Sequence, residues 1–228
     1  MKIAFLSWGS LIETGVQRGL RITGGWNQCG PLLPIEFSRI SQSGARQKCL
    51  TLVIDETNGC DVPTHYAVCS HPNLNVALMN LRVTENITLV YSIGYVNLIS
   101  GTERGWARQN TPLSCDRIKE WARAKQFDAV VWTSLLPNFE KVLETPFTVE
   151  DAVAYVKSLP EPYQTAARSY ILKAPMQVIT PVRSILMRDW MEENTAAQAV
   201  LDEALQHEES PRGEDTLMRF LNRFRCHR

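Results

Sequence analysis

The sequence predicts an α+β fold: a small mixed β-sheet or barrel with surrounding helices and a helical C-terminal extension. Three observations predict it. Short apolar, β-branched runs bounded by glycine, proline and polar clusters fill the first hundred residues. Helical spacing dominates later, and strands mostly precede helices instead of alternating with them. The chain's 228 residues can also bury a substantial core without disulfide or metal staples.

The elements follow in order. "IAFLSW" at 3–8 reads as a buried strand stopped by Gly9. Residues 14–31, rich in glycine and polar side chains, read as loop with one helical turn. "LLPIEFSRIS" and "CLTLVID" read as a strand pair joined by "QSGARQ", and Pro34 confines the first to a strand start or an edge. "PTHYAVCS" adds a short strand. Asn73 is a natural N-cap for "LNVALMNLR", where Leu74, Ala77, Leu78 and Leu81 recur at helical spacing. "TLVYSIGYVNLIS" reads as a strand or strand pair broken at Gly94.

Thr111-Pro112 looks like an N-cap and a first-turn proline, opening a helix to about Lys125. "FDAVVWTSL" is a β-branched strand. Thr148 with Asp151 resembles a capping box for "VEDAVAYVKSL", which Pro160-Glu161-Pro162 ends before "YQTAARSYILK" starts another helix. "MQVITPVR" reads as a final strand, and the remainder as helix broken by "EESPRGED". The expected domains are 1–189, with a core at 1–105 and an elaboration at 111–189, and a helical extension at 190–228.

Composition narrows the partners. Lysine plus arginine number 24, as do aspartate plus glutamate, so no basic footprint for nucleic acid or anionic membrane is expected. The locally basic "RFLNRFRCHR" suits a helix end. Six cysteines lie at wide intervals with no C-x-x-C, and none sits at metal spacing beside the four histidines. Most are set among apolar residues, so buried reduced thiols and a cytoplasmic protein are expected. No metal and no cofactor are expected, and neither a signal peptide nor a membrane span is read. The helical C-terminal part is the expected face for a homodimer or protein partner.

Glu85 is the most informative position. Leu74, Leu78, Leu81 and Glu85 are spaced by four, three and four residues, one stripe of an α-helix. A helix that persists this far points a carboxylate inward, where desolvation favours a general base. The bland alternative is that Val83-Thr84 and Asn86 end the helix early and leave Glu85 in water. Gly9 and Ser10 form the second feature, because backbone amides at a strand-to-loop turn can hold an oxyanion or carboxylate. Alone, such a triplet is more often a plain turn. No G-x-S-x-G elbow, P-loop or dinucleotide fingerprint is present. His65 and His71 suit turn or surface roles. Trp106, Trp121, Trp132 and Trp190 suit core or interface better than a stacking platform.

Together these features resemble the γ-glutamylcyclotransferase-like superfamily, which includes the γ-glutamylamine cyclotransferases. That family opens with a strand leading into Tyr-Gly-Ser-Leu or a close variant, matched here by Trp8, Gly9, Ser10 and Leu11. Its hairpin often carries an acidic-Phe pair, similar to Glu36-Phe37, and its Leu-x-x-Leu helix ends in a catalytic glutamate, matched by Leu78, Leu81 and Glu85. The match covers roughly residues 1–100. Two departures stand out: Trp8 where tyrosine is usual, and Asn86 where glycine commonly follows the glutamate.

The resemblance implies a γ-glutamylcyclotransferase-like mixed β-barrel or sheet and a γ-glutamyl-type small-molecule substrate cyclised to 5-oxoproline. It implies Glu85 as catalytic acid/base, residues 8–11 as substrate-binding, and Glu13, Glu36, Arg39 and Arg82 as rim positions. A solvated surface role is the bland alternative for Glu13, Arg39 and Arg82. Trp8, Asn86 and the long extension leave a second reading open, in which the fold serves as a ligand-binding or protein-interaction module.

Overall fold

The computed structural model describes residues 1–42, 44, 47–105 and 113–208, with side chains through Ala199. Two compact units divide after Ser184. The first contains every strand: β1 (Ile3–Ser7), β2 (Ile22–Asn27), β3 (Leu32–Ile40), β4 (Leu50–Ile54), β5 (Cys60–Pro63), β6 (His65–Cys69), β7 (Ile93–Asn97), β8 (Glu103–Arg104) and β9 (Ala129–Thr133). Its helices are α1 (Leu11–Thr14), α2 (Leu74–Thr84), α3 (Leu113–Ala124), α4 (Phe139–Leu143), α5 (Val149–Ser158) and α6 (Tyr163–Leu172). The long α7 (Pro181–Glu208) begins at the end of this unit and makes up the described part of the second.

The fold is α+β, but the strands form two open sheets and no closed barrel among the described residues. One sheet has six strands in the order β2-β6-β1-β9-β7-β8, and the other has three, β4-β3-β5. Among the described strands of the larger sheet only β1 and β9 pair in parallel. The expected elaboration at 111–189 thus supplies a strand in the middle of the larger sheet, between β1 and β7. Side chains alternate along β1, yet every one is buried, which explains its unbroken apolar run. Ile3 and Phe5 join Ile93, Ala129 and Val131 in a core cluster with Ala77 and Leu81 of α2. Burial of this kind stabilises by about 25 cal/mol per Å² of apolar surface.

Several sequence expectations need correction. β2 lies in the segment expected to be loop. Its "ITGGWN" is glycine-rich because it is a bulged, mostly exposed edge strand, whose Gly24 takes a positive φ of 73°. Gly94 does not break its strand. It sits inside β7 opposite Trp132, where a β-carbon would stand 2.4 Å from the indole Cε2. Pro34 lies in the central strand of its sheet, but at the level where β4 has run out. Its carbonyl accepts from the Asp55 amide, and its missing N–H would have faced the same side. β5 has no counterpart among the expected strands. "MQVITPVR" forms no strand, because the Thr180 hydroxyl accepts from the Arg183 amide (3.3 Å) and Pro181 opens α7.

The caps mostly match their signals. Asn73 Oδ1 accepts from the Val76 amide (3.2 Å). Thr148 Oγ1 accepts from the Asp151 amide (3.0 Å), while its own hydroxyl donates to the Asp151 carboxylate (2.7 Å). The Thr111-Pro112 signal and Trp106 lie outside the described residues.

Candidate functional site

The 9–11 turn follows directly from the end of β1. Trp8 is buried, and its indole N–H donates to the Leu52 carbonyl of β4 (3.4 Å), fastening the end of the large sheet to the small one. The chain then turns into α1, with the Ile12 amide bonded to the Gly9 carbonyl (3.1 Å). Leu11 closes the turn by packing into the core cluster. Gly9 is not forced by backbone strain. A β-carbon there would meet only the Tyr170 hydroxyl at 3.5 Å and a Leu52 methyl at 3.8 Å.

Glu85 arrives from the other direction. The buried stripe of α2 is Ala77, Leu81 and Thr84, with Leu74 and Leu78 packed at its edge. Glu85 is the C-cap, its amide still bonded to the Leu81 carbonyl (2.9 Å). The helix then stops in a Schellman motif. Asn86 takes a φ of 52°, its amide bonds the Val83 carbonyl (3.0 Å), and the Ile87 amide bonds the Arg82 carbonyl (2.9 Å). Ile87 packs back on the core. Asparagine supports the left-handed position at this helix end.

Glu85 is therefore not left in water. Its side chain is 13% exposed, and its Oε1 lies 3.4 Å from Arg18 Nη1. Arg18 also donates to the Thr84 carbonyl, so one guanidinium holds both the carboxylate and the end of α2. Nothing in the local sequence marks Arg18, which sits in a polar turn.

Glu85 and residues 8–11 line one cavity of about 520 Å³. It opens at the end of the large sheet where β1 and β9 stop, marked by Ser7 and Thr133, with Ser92 just before β7. Arg39 of β3 and Thr51 and Leu52 of β4 line it from the small sheet, and α6 contributes Tyr170. Tyr170 had no signal in sequence beyond its place in an amphipathic helix. Its ring packs edge-on to Phe37, 6.2 Å between centroids.

The four rim positions separate. Arg39 lines the cavity, donates to the Leu136 carbonyl (2.7 Å), and has its guanidinium pushed below its ordinary value by burial. Glu13 is exposed and outside the lining, and half-buried Arg82 is outside it too. Glu36 is wholly buried elsewhere. Its carboxylate accepts from the Phe37 amide (2.7 Å) and from the Val182 amide at the start of α7 (3.4 Å), while burial raises its pKa. It holds a helix start, a structural task.

His65 also departs from its expected surface role: it is buried at the start of β6, its ring against the Gln177 side chain, and burial lowers its pKa. His71 keeps a turn role, its ring nitrogen accepting from the Asn73 amide (3.2 Å). Trp121 stacks on Phe127 with centroids 5.4 Å apart, and Trp132 is core. Among the described cysteines all are free, and Cys49, Cys69 and Cys115 are buried. Among the described residues no three His, Cys, Asp or Glu side chains group to hold a metal ion, and no helix is long and apolar enough to cross a membrane.

Chemically, the cavity offers one carboxylate held by an arginine, a second arginine, several hydroxyls and a turn of backbone. Such a set can bind a zwitterion or an anion and move one proton. No protein-family model, curated protein or solved structure matches the chain.

Proposed function

We propose that the protein is a γ-glutamylcyclotransferase-like enzyme that closes a γ-glutamyl amine or peptide to 5-oxoproline and releases the amine, with Glu85 as general acid/base. The observation that carries this reading is the shared cavity of Glu85 and the 9–11 turn. The α-amine of the glutamyl group enters as an ammonium and cannot attack until it loses a proton. Glu85 takes that proton. The amine nitrogen bonds to the γ-carbonyl carbon, and the γ-amide C–N bond breaks as Glu85 returns the proton to the departing nitrogen. The second proton shed by the attacking nitrogen follows to the departing amine, which leaves as an ammonium. Amides of the 9–11 turn steady the charge that builds on the γ-carbonyl oxygen. Folding the glutamyl chain into one reactive conformer within the cavity supplies much of the rate.

The experiment offers purified protein a panel of γ-glutamyl amines, γ-glutamyl amino acids and glutathione while 5-oxoproline is followed. Turnover by the native chain is expected, and Glu85→Gln should lose at least about 100-fold, the usual share of a general acid/base. Cyclisation by Glu85→Gln at the native rate would falsify the assigned base.

A second reading is favoured by the Arg18–Glu85 pair, which leaves the carboxylate already engaged. In that reading the cavity binds a ligand without transforming it. Saturable binding of a γ-glutamyl compound with no 5-oxoproline formed would select it.

A further inference from the structure

The described lining of the cavity contains three formally charged side chains: Arg18, Arg39 and Glu85. Arg18 is committed to Glu85 and to the Thr84 carbonyl. Arg39 has no acidic partner among the described residues. One of its five N–H donors is used on the Leu136 carbonyl, and burial lowers its pKa. The described lining therefore carries one net positive charge, placed on β3, a different element from those that bring Glu85 and the 9–11 turn.

A half-buried guanidinium without a counter-ion costs solvation that a bound anion restores. We propose that Arg39 is a specificity-determining residue that binds a carboxylate on the part of the substrate released as the amine. The site then takes γ-glutamyl amino acids or peptides ending in a carboxylate in preference to uncharged γ-glutamyl amines. This rests on the reading of the cavity given above.

The charges agree with it. A γ-glutamyl amino acid brings one ammonium and two carboxylates, one net negative charge against the one positive of the described lining. A γ-glutamyl derivative of an uncharged amine is a neutral zwitterion and leaves Arg39 unanswered. The planar fork of arginine also favours a carboxylate over a lone hydroxyl or amide oxygen.

The test compares γ-glutamyl-alanine with γ-glutamyl-alaninamide, which differ only in the terminal group, a carboxylate in one and an uncharged amide in the other. Both turnover and calorimetric binding are measured on the native chain, Arg39→Gln and Arg39→Lys. The native protein should prefer the acid by roughly 10- to 100-fold, the range for a hydrogen bond to a charged group. Arg39→Gln should lose that preference by weakening the acid while leaving the amide within a few-fold, and Arg39→Lys should retain part of it. Equal treatment of the two compounds by the native chain, or an undiminished preference in Arg39→Gln, overturns the assignment. Should neither compound yield 5-oxoproline, the enzymatic reading fails, and the calorimetric preference still decides Arg39. Should Arg39→Gln fail to fold, the native chain's preference and its partial reduction in Arg39→Lys decide instead, an undiminished preference in Arg39→Lys overturning the assignment.

Discussion

Arg18 and Glu36 show how burial sorts charged side chains by task. Arg18 neutralises the carboxylate that the proposed chemistry needs and ties it to the end of α2. Arg18→Ala should therefore leave the cavity in place but release Glu85 from its position. A loss in kcat larger than any rise in KM for 5-oxoproline formation is expected, and steady-state kinetics would check it. Glu36 lies in the buried interior, where burial raises its pKa. The folded chain thus holds a proton there that the unfolded chain gives up at lower pH. This contribution to stability is whole below the ordinary carboxylate value and is lost as pH rises through the raised folded value. Glu36→Gln cannot ionise, so the native chain's Tm should fall relative to that variant's as pH rises from the ordinary carboxylate value through the raised folded value. Thermal melts at intervals across that range would show it, and parallel curves would contradict it. Gly9 gives a third residue-scale expectation. Its ordinary φ tolerates alanine, but the added methyl would sit 3.5 Å from the Tyr170 hydroxyl, in the cavity. Gly9→Ala should melt near the native Tm while weakening substrate binding.

At the scale of elements, two positions test how the site is held. Asn86 at the left-handed position of the α2 terminus costs more there than glycine. Asn86→Gly should stabilise the chain by up to about 1 kcal/mol, read from denaturant midpoints. Gly94→Ala should cost about 1–3 kcal/mol, because its β-carbon would collide with the Trp132 indole on the neighbouring strand. These two glycine-type positions also explain what the sequence made legible. Helix caps are local, so Asn73 and Thr148 announced themselves, and the α2 periodicity located Glu85. Gly94 misled because its partner is thirty-eight residues away in β9: its meaning is a cross-strand fit, not a local break. "ITGGWN" and "MQVITPVR" misled for the same reason in opposite directions. One is an edge strand with poor propensity, and the other has good propensity but is claimed by the Thr180 cap and Pro181.

Across the whole first unit, the arrangement depends on β9. It places Thr133 at the end of β1 and aligns β7 so that Ser92 meets the same opening, which a division of the chain near residue 105 would not suggest. Parallel pairing brings two strand ends to one rim, and Trp8 bridges from there to the smaller sheet. Glu85 and the 9–11 turn were legible because each sits at the end of a strongly patterned element. Arg18 and Tyr170 were not, since a polar turn and an amphipathic helix give no sign of what the tertiary fold will bring beside them. The central claim is that this shared cavity carries out cyclisation with Glu85 moving the proton. The direct measurement is 5-oxoproline formation from the γ-glutamyl panel by the native chain and by Glu85→Gln at matched folding. Turnover by the native chain that drops at least about 100-fold in the variant is the predicted result. Equal rates in the two proteins, or binding without any product from either, would contradict it.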